Sequence, residues 1–174
     1  MKRSAIHLKN RQSDKDTYSD HHTNRWLYAV HIGLFAGLIW GCIRWMFYSM
    51  KFTTELPGFL MEPFFRHHFL ISYWGIVIGI AGFTVFSIAA ALLYTALLGR
   101  FRGPWPGIFY GLGWWALMFL AAGPLIGMTS RVNAAGWNTV LSELCIFTLW
   151  GVFIGYSIAF EFTDESSREP ASAK

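Results

Sequence analysis

Charged residues are scarce in this sequence. Only 14% of the 174 residues are charged, whereas an ordinary soluble domain carries about 25%. Hydrophobic residues make up 54% of the chain and aromatic residues 18%. The few charges lie mostly in the terminal segments and between the apolar runs. This composition excludes an ordinary soluble domain and is typical of an integral membrane protein.

Cysteine is equally scarce, which excludes a disulfide framework. Cys42 and Cys145 both lie inside apolar runs, and neither belongs to a CxxC or Cys/His metal-binding spacing. We therefore interpret both as small buried hydrophobic residues.

Four apolar segments are long enough to cross a membrane. A helix that spans a hydrocarbon core of about 30 Å needs about 20 apolar residues. The four segments cover residues 26–50, 69–98, 105–128 and 139–160. We therefore predict an all-α integral membrane four-helix bundle within a single domain at residues 26–162. Polar tails at residues 1–25 and 163–174 are predicted to be disordered.

Basic residues near the ends of the spans predict the orientation. The first 25 residues contain six basic side chains, and the turn at residues 99–103 has two arginines and no acidic residue. The positive-inside rule places the turn and both termini in the cytoplasm, and the loops at 51–68 and 129–138 outside. The same topology accounts for the formal charge of +4, so we predict no nucleic-acid partner.

One arginine lies among apolar residues in the stretch WGCIRWMFYSM, residues 40–50. At 100° per residue, Arg44 lies within about 80° of the glycines of the same span, on its packing face. Glu143 is the one acidic residue well inside a span, at a similar depth in the fourth. We predict that Arg44 and Glu143 form an intramembrane ion pair. The alternative is that Arg44 extends to the outer headgroups while Glu143 meets water.

Glycines four residues apart occur in every span. Such spacing lets two helix backbones approach closely, which drives association within lipid. The glycines are Gly33, Gly37 and Gly41 in the first span, Gly75 and Gly79 in the second, Gly107 and Gly111 in the third, and Gly151 and Gly155 in the fourth. We favour packing within one bundle, with homo-oligomerisation as the alternative.

The first loop, KFTTELPGFLMEPFFRHH, is apolar although it lies outside the spans. We predict that it rests on the outer membrane interface with its Phe and Leu side chains entering lipid. Its two glutamates and two histidines are separated by prolines and do not form a site with fixed metal geometry. We predict neither a metal nor a cofactor.

No catalytic motif emerges from the sequence: it has no nucleophile–base set, phosphate loop or nucleic-acid module. We predict a non-enzymatic scaffold or accessory subunit that acts through helix packing. Its partners would be the lipid bilayer and either another membrane protein or a second copy. The alternative is a small transporter or channel component in which Arg44 and Glu143 contact a permeant ion.

Two stretches resemble a known family. FRGPWPGIFYG at residues 101–111 and GVFIGYSIAFEF at residues 151–162 are similar to the corresponding segments of the YqhR family. These are small membrane proteins of Gram-positive, mostly spore-forming bacteria, and the resemblance covers residues 26–162. Members have no established activity. The resemblance therefore implies four spans and a plasma-membrane location, and it transfers no catalytic residue.

The predicted topology can be tested by cysteine-accessibility labelling in cells. Positions in 1–25, 99–103 and 163–174 should react only from the cytoplasmic side, and positions in 51–68 and 129–138 only from outside. Labelling of the 99–103 turn from outside would overturn the assignment, because its two arginines are the strongest local evidence for it.

Overall fold

Four long helices make up most of the computed structural model, which describes residues 24–99, 101, 103–126 and 136–168. They are α1 (Arg25–Ser49), α2 (Tyr73–Leu97), α3 (Trp105–Ala116, with a distorted continuation) and α4 (Gly136–Arg168). Each is long and apolar enough to cross a membrane, and no strand occurs within the described ranges. The prediction of an all-α membrane bundle is confirmed.

Some predicted features lie outside the described residues. They are the N-terminal tail through residue 23, the two arginines of the 99–103 turn, most of the 129–138 loop and residues 169–174. The end of the bundle that carries residues 50–72 is the loop end. The opposite end, where α2 ends and α3 begins, is the turn end.

The second span begins later than predicted. A single helical turn, His67–Leu70, precedes α2, and Ser72 separates the two. The Ser72 hydroxyl accepts a hydrogen bond from the backbone N–H of Gly75 at 3.3 Å and donates one to the Phe69 carbonyl at 2.7 Å. Serine is a preferred N-cap because its side chain satisfies an otherwise unpaired backbone N–H. The prediction of one continuous helix over residues 69–98 is therefore wrong at the start of that range.

Helix α3 changes its winding toward the loop end. A π-helical segment, Leu117–Ala122, follows Ala116 and leads into a last turn, Gly123–Ile126. A π-helical segment widens the helix locally. It brings Phe119 into a stacked contact with Phe59 of the first loop, with ring centroids 6.2 Å apart.

Helix α4 continues past its apolar part to Arg168. The predicted disordered tail from residue 163 is therefore wrong for residues 163–168. Adding a residue to an existing helix forms one hydrogen bond without a new nucleation step, so a polar segment can extend a stable helix.

Glycines join the helices into two close pairs. A Cβ atom on Gly33 would lie 2.6 Å from the Cα of Ile88, so α1 and α2 touch at the backbone. A Cβ on Gly151 would lie 2.5 Å from the Cα of Gly111, so α3 and α4 also touch at the backbone. Only a residue without a side chain permits this approach.

The glycines of α2 have a different neighbour from the one predicted. A Cβ on Gly79 would lie 2.6 Å from the Cα of Gly58 in the first loop, and one on Gly75 would overlap the backbone of Leu70. Gly79 therefore makes room for the first loop and Gly75 for the helical turn before α2, and neither makes room for another transmembrane helix.

The first loop enters the bundle. Thr53 and residues 55–60 are buried, whereas Phe64, further along, is 76% exposed. The prediction that the loop rests on the membrane interface is wrong for its first half. Its apolar residues bury more surface against the bundle than at the interface, and the glycines of α2 leave the space for them.

Aromatic side chains fill the space between the two helix pairs. The Trp150 ring of α4 stacks on Phe86 of α2 with centroids 5.7 Å apart, and its indole N–H donates to the Ser87 hydroxyl at 2.8 Å. At the turn end, the Tyr28 hydroxyl of α1 donates to the carbonyl of Ser157 on α4 at 3.3 Å. The two pairs thus form one bundle.

The backbone contact between α1 and α2 predicts a graded response to substitution. Gly37→Leu should lower stability by about 1–3 kcal/mol or more, because its new Cβ would overlap the backbone of Thr84. Gly41→Leu should cost less, since it meets the movable Ile80 side chain at 3.1 Å. Leu34→Ala, on the exposed face of α1, should cost least. Thermal melting in one detergent measures the order, and equal small effects would contradict the packing.

Candidate functional site

Arg44 and Glu143 meet near the loop end of the bundle. Arg44 lies near the end of α1, and Glu143 lies about 10 Å along α4 from its first residue. Nη1 of Arg44 is 2.8 Å from Oε2 of Glu143, and the two side chains are 1% and 0% exposed. The structure brings the predicted partners together, and neither side chain reaches the surface as the alternative interpretation required.

The second carboxylate oxygen is held by the first loop. The Thr53 hydroxyl donates a hydrogen bond to Oε1 of Glu143 at 2.9 Å. The same hydroxyl accepts a hydrogen bond from the backbone N–H of Glu55 at 3.2 Å, which fixes its orientation. One carboxylate oxygen therefore faces the guanidinium group of α1, and the other accepts a hydrogen bond from the loop.

Three phenylalanine rings surround the guanidinium group. Cζ of Arg44 lies 4.4 Å from the ring centroid of Phe59 and 5.6 Å from those of Phe83 and Phe147. A desolvated cation over an aromatic face gains about 2 kcal/mol or more. These rings matter because the guanidinium nitrogens have no aligned hydrogen-bond acceptor among the described residues, the close approach to Glu143 included.

Further hydrogen bonds tie the loop to the start of α4. The backbone N–H of Thr54 donates to the Thr139 hydroxyl at 3.2 Å, and the Ser142 hydroxyl donates to the Phe52 carbonyl at 3.3 Å. These contacts lie within the first two turns of α4. They hold the loop against α4, where Thr53 and Phe59 contact the ion pair.

Comparison with known proteins assigns the chain to a family. A family model described as conserved membrane protein YqhR matches residues 9–173. The chain belongs to the YqhR family. A relative from Bacillus subtilis (strain 168), named uncharacterized protein YqhR, is 35% identical over 141 residues, which cover 81% of this chain and 79% of the relative. No solved structure matches the chain.

The family assignment confirms the resemblance seen in the two aromatic-rich motifs. The YqhR match extends beyond the residues on which the resemblance rested, into both polar tails. The family description names a conserved membrane protein, and the relative's name gives no activity.

Sequence reasoning missed most of the residues around the ion pair of this YqhR protein. Phe147 lies four positions after Glu143 and shares its helix face, so helical spacing could have identified it. Phe83 and Thr53 carried no local signal, because their roles depend on contacts between distant segments. Phe59 was assigned to lipid because the loop containing it was placed on the membrane surface.

The other candidate polar residues lie apart from this site. Cys42 and Cys145 are unpaired and exposed, so the prediction that they are buried is wrong. They occupy the outward surfaces of helices whose opposite faces carry the packing residues. His67 is exposed, and its Nδ1 lies 2.8 Å from Oε1 of Glu62. No group of three metal-ligating side chains occurs within the part of the chain that the structure describes.

Breaking the ion pair on one side should be costly. A buried charge that loses its partner typically destabilises a protein by about 3–5 kcal/mol. Because both side chains are buried, Arg44→Met and Glu143→Leu should each fall in this range. The double variant should be better tolerated than the sum of the singles, since it leaves no unpaired charge.

A double-mutant cycle on thermal melting in one detergent measures this coupling. A charge swap between the two positions should recover part of the loss only, because a carboxylate cannot reproduce the planar guanidinium group. Strictly additive single effects would show that the two residues do not stabilise each other.

Proposed function

We propose that this YqhR-family protein is a non-enzymatic scaffold or accessory subunit of the bacterial plasma membrane. It would act by presenting a rigid four-helix bundle to a partner membrane protein. The observation that supports this proposal most is that the charged residues contact only other parts of the same chain. Arg44 and Glu143 are buried against each other, a loop hydroxyl and three rings, an arrangement suited to fixing the positions of α1, α4 and the loop.

The use of the glycines supports the same proposal. All nine predicted packing glycines are buried, and those with close neighbours contact other parts of the same chain. A partner would therefore contact larger apolar side chains on the outer surface. Helix α1 offers such a row, formed by the exposed residues Leu34, Phe35, Leu38 and Ile39. A second copy of the chain could also dock only through side chains of this kind.

A transporter or channel component is the second candidate, and one observation favours it. The guanidinium nitrogens of Arg44 have no aligned acceptor among the described residues, although the group lies within a membrane-spanning helix. Ionisable residues inside membrane spans often lie on substrate or ion pathways. In this interpretation, an anion entering the bundle would compete with Glu143 for Arg44.

Co-purification from the native host can test the scaffold proposal. The full chain is tagged and isolated in a mild detergent, as wild type and as the Arg44→Met, Glu143→Leu double variant. We expect the same partner at the same fixed stoichiometry with both, because the double variant keeps the outer surface and leaves no charge unpaired. Thermal melting of both proteins serves as the control for folding.

Reconstitution of the purified chain provides the opposing test. In proteoliposomes, a scaffold should show no ion flux above that of empty vesicles. A flux that is present in the wild type and lost in the equally stable double variant would contradict the scaffold role and support the transporter. A wild-type chain that carries no partner at a fixed stoichiometry would also contradict the proposal.

A further inference from the structure

An apolar groove opens between α2 and α3 at the turn end of the bundle. It has a volume of about 680 Å³. Its lining is almost entirely apolar and consists of Leu93, Leu98, Phe101, Trp105, Pro106, Phe109, Tyr110, Gly113, Trp114 and Leu117. In a bilayer this groove faces the hydrocarbon, so its occupant must be apolar.

Large rings hold the two helices apart at this point. Phe86 and Trp114 meet edge to face with centroids 4.8 Å apart, and Tyr94 and Tyr110 do so at 5.1 Å. The Tyr110 hydroxyl donates to the Ala90 carbonyl at 2.7 Å, which fixes the floor of the groove. The glycine contacts that draw the helices together within each pair have no counterpart here, and the groove is the space that remains.

The groove is as long as one membrane leaflet is deep. From Trp105 to Leu117 a helix rises about 18 Å, and half of a hydrocarbon core of about 30 Å is about 15 Å. Toward the loop end, the same side of the bundle is filled by the first loop. The Met61 side chain lies against Gly82, and Phe59 stacks on Phe119 of α3. The opening is therefore confined to the half of the bilayer nearer the turn end.

We propose that this groove binds one acyl chain of an anionic phospholipid from the leaflet at the turn end. A lipid tail is apolar and ends near the bilayer midplane, as the groove does. A partner transmembrane helix would need a continuous face through both leaflets. The segment at residues 99–103, which connects α2 to α3 along the chain, has two arginines and no acidic residue in its sequence, and Phe101 within it lines the groove. A basic segment at the membrane surface attracts anionic headgroups.

Photolabelling by lipid can locate the occupant. The full chain is reconstituted in vesicles of phosphatidylglycerol and phosphatidylcholine with a trace of phosphatidylglycerol that carries a diazirine on one tail. After irradiation, peptide mass spectrometry maps the labelled positions. We expect labelling of the groove residues to exceed that of the exposed α2 residues Val77 and Val85 several-fold. A phosphatidylcholine probe with the same tail should label the groove less.

A groove-filling variant sharpens the test. A Cβ on Gly113 would meet no atom within 4 Å, so Gly113→Phe can place a ring in the groove without displacing the backbone. It should reduce groove labelling several-fold. Val85→Phe, at a position that is 68% exposed on α2 outside the groove, should leave it unchanged. If Gly113→Phe failed to fold, as judged by melting, the proposal would be tested by the wild type alone, through the labelling of the groove relative to Val77 and Val85.

Four results would overturn the assignment. Equal labelling of all exposed helix faces would indicate contact with bulk lipid and no specific site. Groove labelling that the folded Gly113→Phe variant does not reduce would indicate the same. Equal labelling by the two headgroups would refute the anionic lipid. No labelling of the groove by either probe would exclude lipid as the occupant, as expected if a second copy of the chain covered the groove.

Discussion

The contact between Arg44 and Glu143 is the interaction on which the loop end of this bundle depends. Removing two charges from water costs several kcal/mol per ion, and attraction repays that cost only with well-placed partners. The partners come from four segments: α1 supplies the cation, α4 the carboxylate and one ring, and α2 and the first loop the remaining rings and the hydroxyl. The ion pair therefore has these contacts only when all four segments are in place.

Glycines and aromatic residues account for the remaining packing of the helices. Glycines bring α1 onto α2 and α3 onto α4 at backbone contact, where dispersion and close approach substitute for the hydrophobic effect that lipid does not provide. Aromatic rings then join the two pairs, because only large side chains span the wider gap between them. The gap is filled unevenly. The first loop occupies the loop end, and the turn end stays open as the groove lined by Trp105 and Leu117.

This division bears on function within the YqhR family. The polar and charged groups of the ion-pair site hold segments of one chain together, and many large apolar side chains are exposed on the outside of the bundle. A bundle built in this way presents an apolar binding surface to its surroundings, whereas its charged groups are buried inside. For this reason we propose a scaffold role before a transport role. Transport stays the second candidate because the guanidinium nitrogens of Arg44 have no aligned hydrogen-bond acceptor among the described residues.

The sequence by itself determined the number of spans, because bilayer thickness sets a length of apolar helix that can be recognised locally. It also singled out Arg44 and Glu143, since charges inside spans are rare and helical geometry places them on packing faces. The path of the first loop was decided only by the tertiary structure. Burial of Phe59 depends on space left by Gly79 of α2 and on hydroxyls of α4, all distant in sequence. The start of α2 at Ser72 and the groove beside Gly113 likewise follow from contacts between segments, which no local pattern encodes.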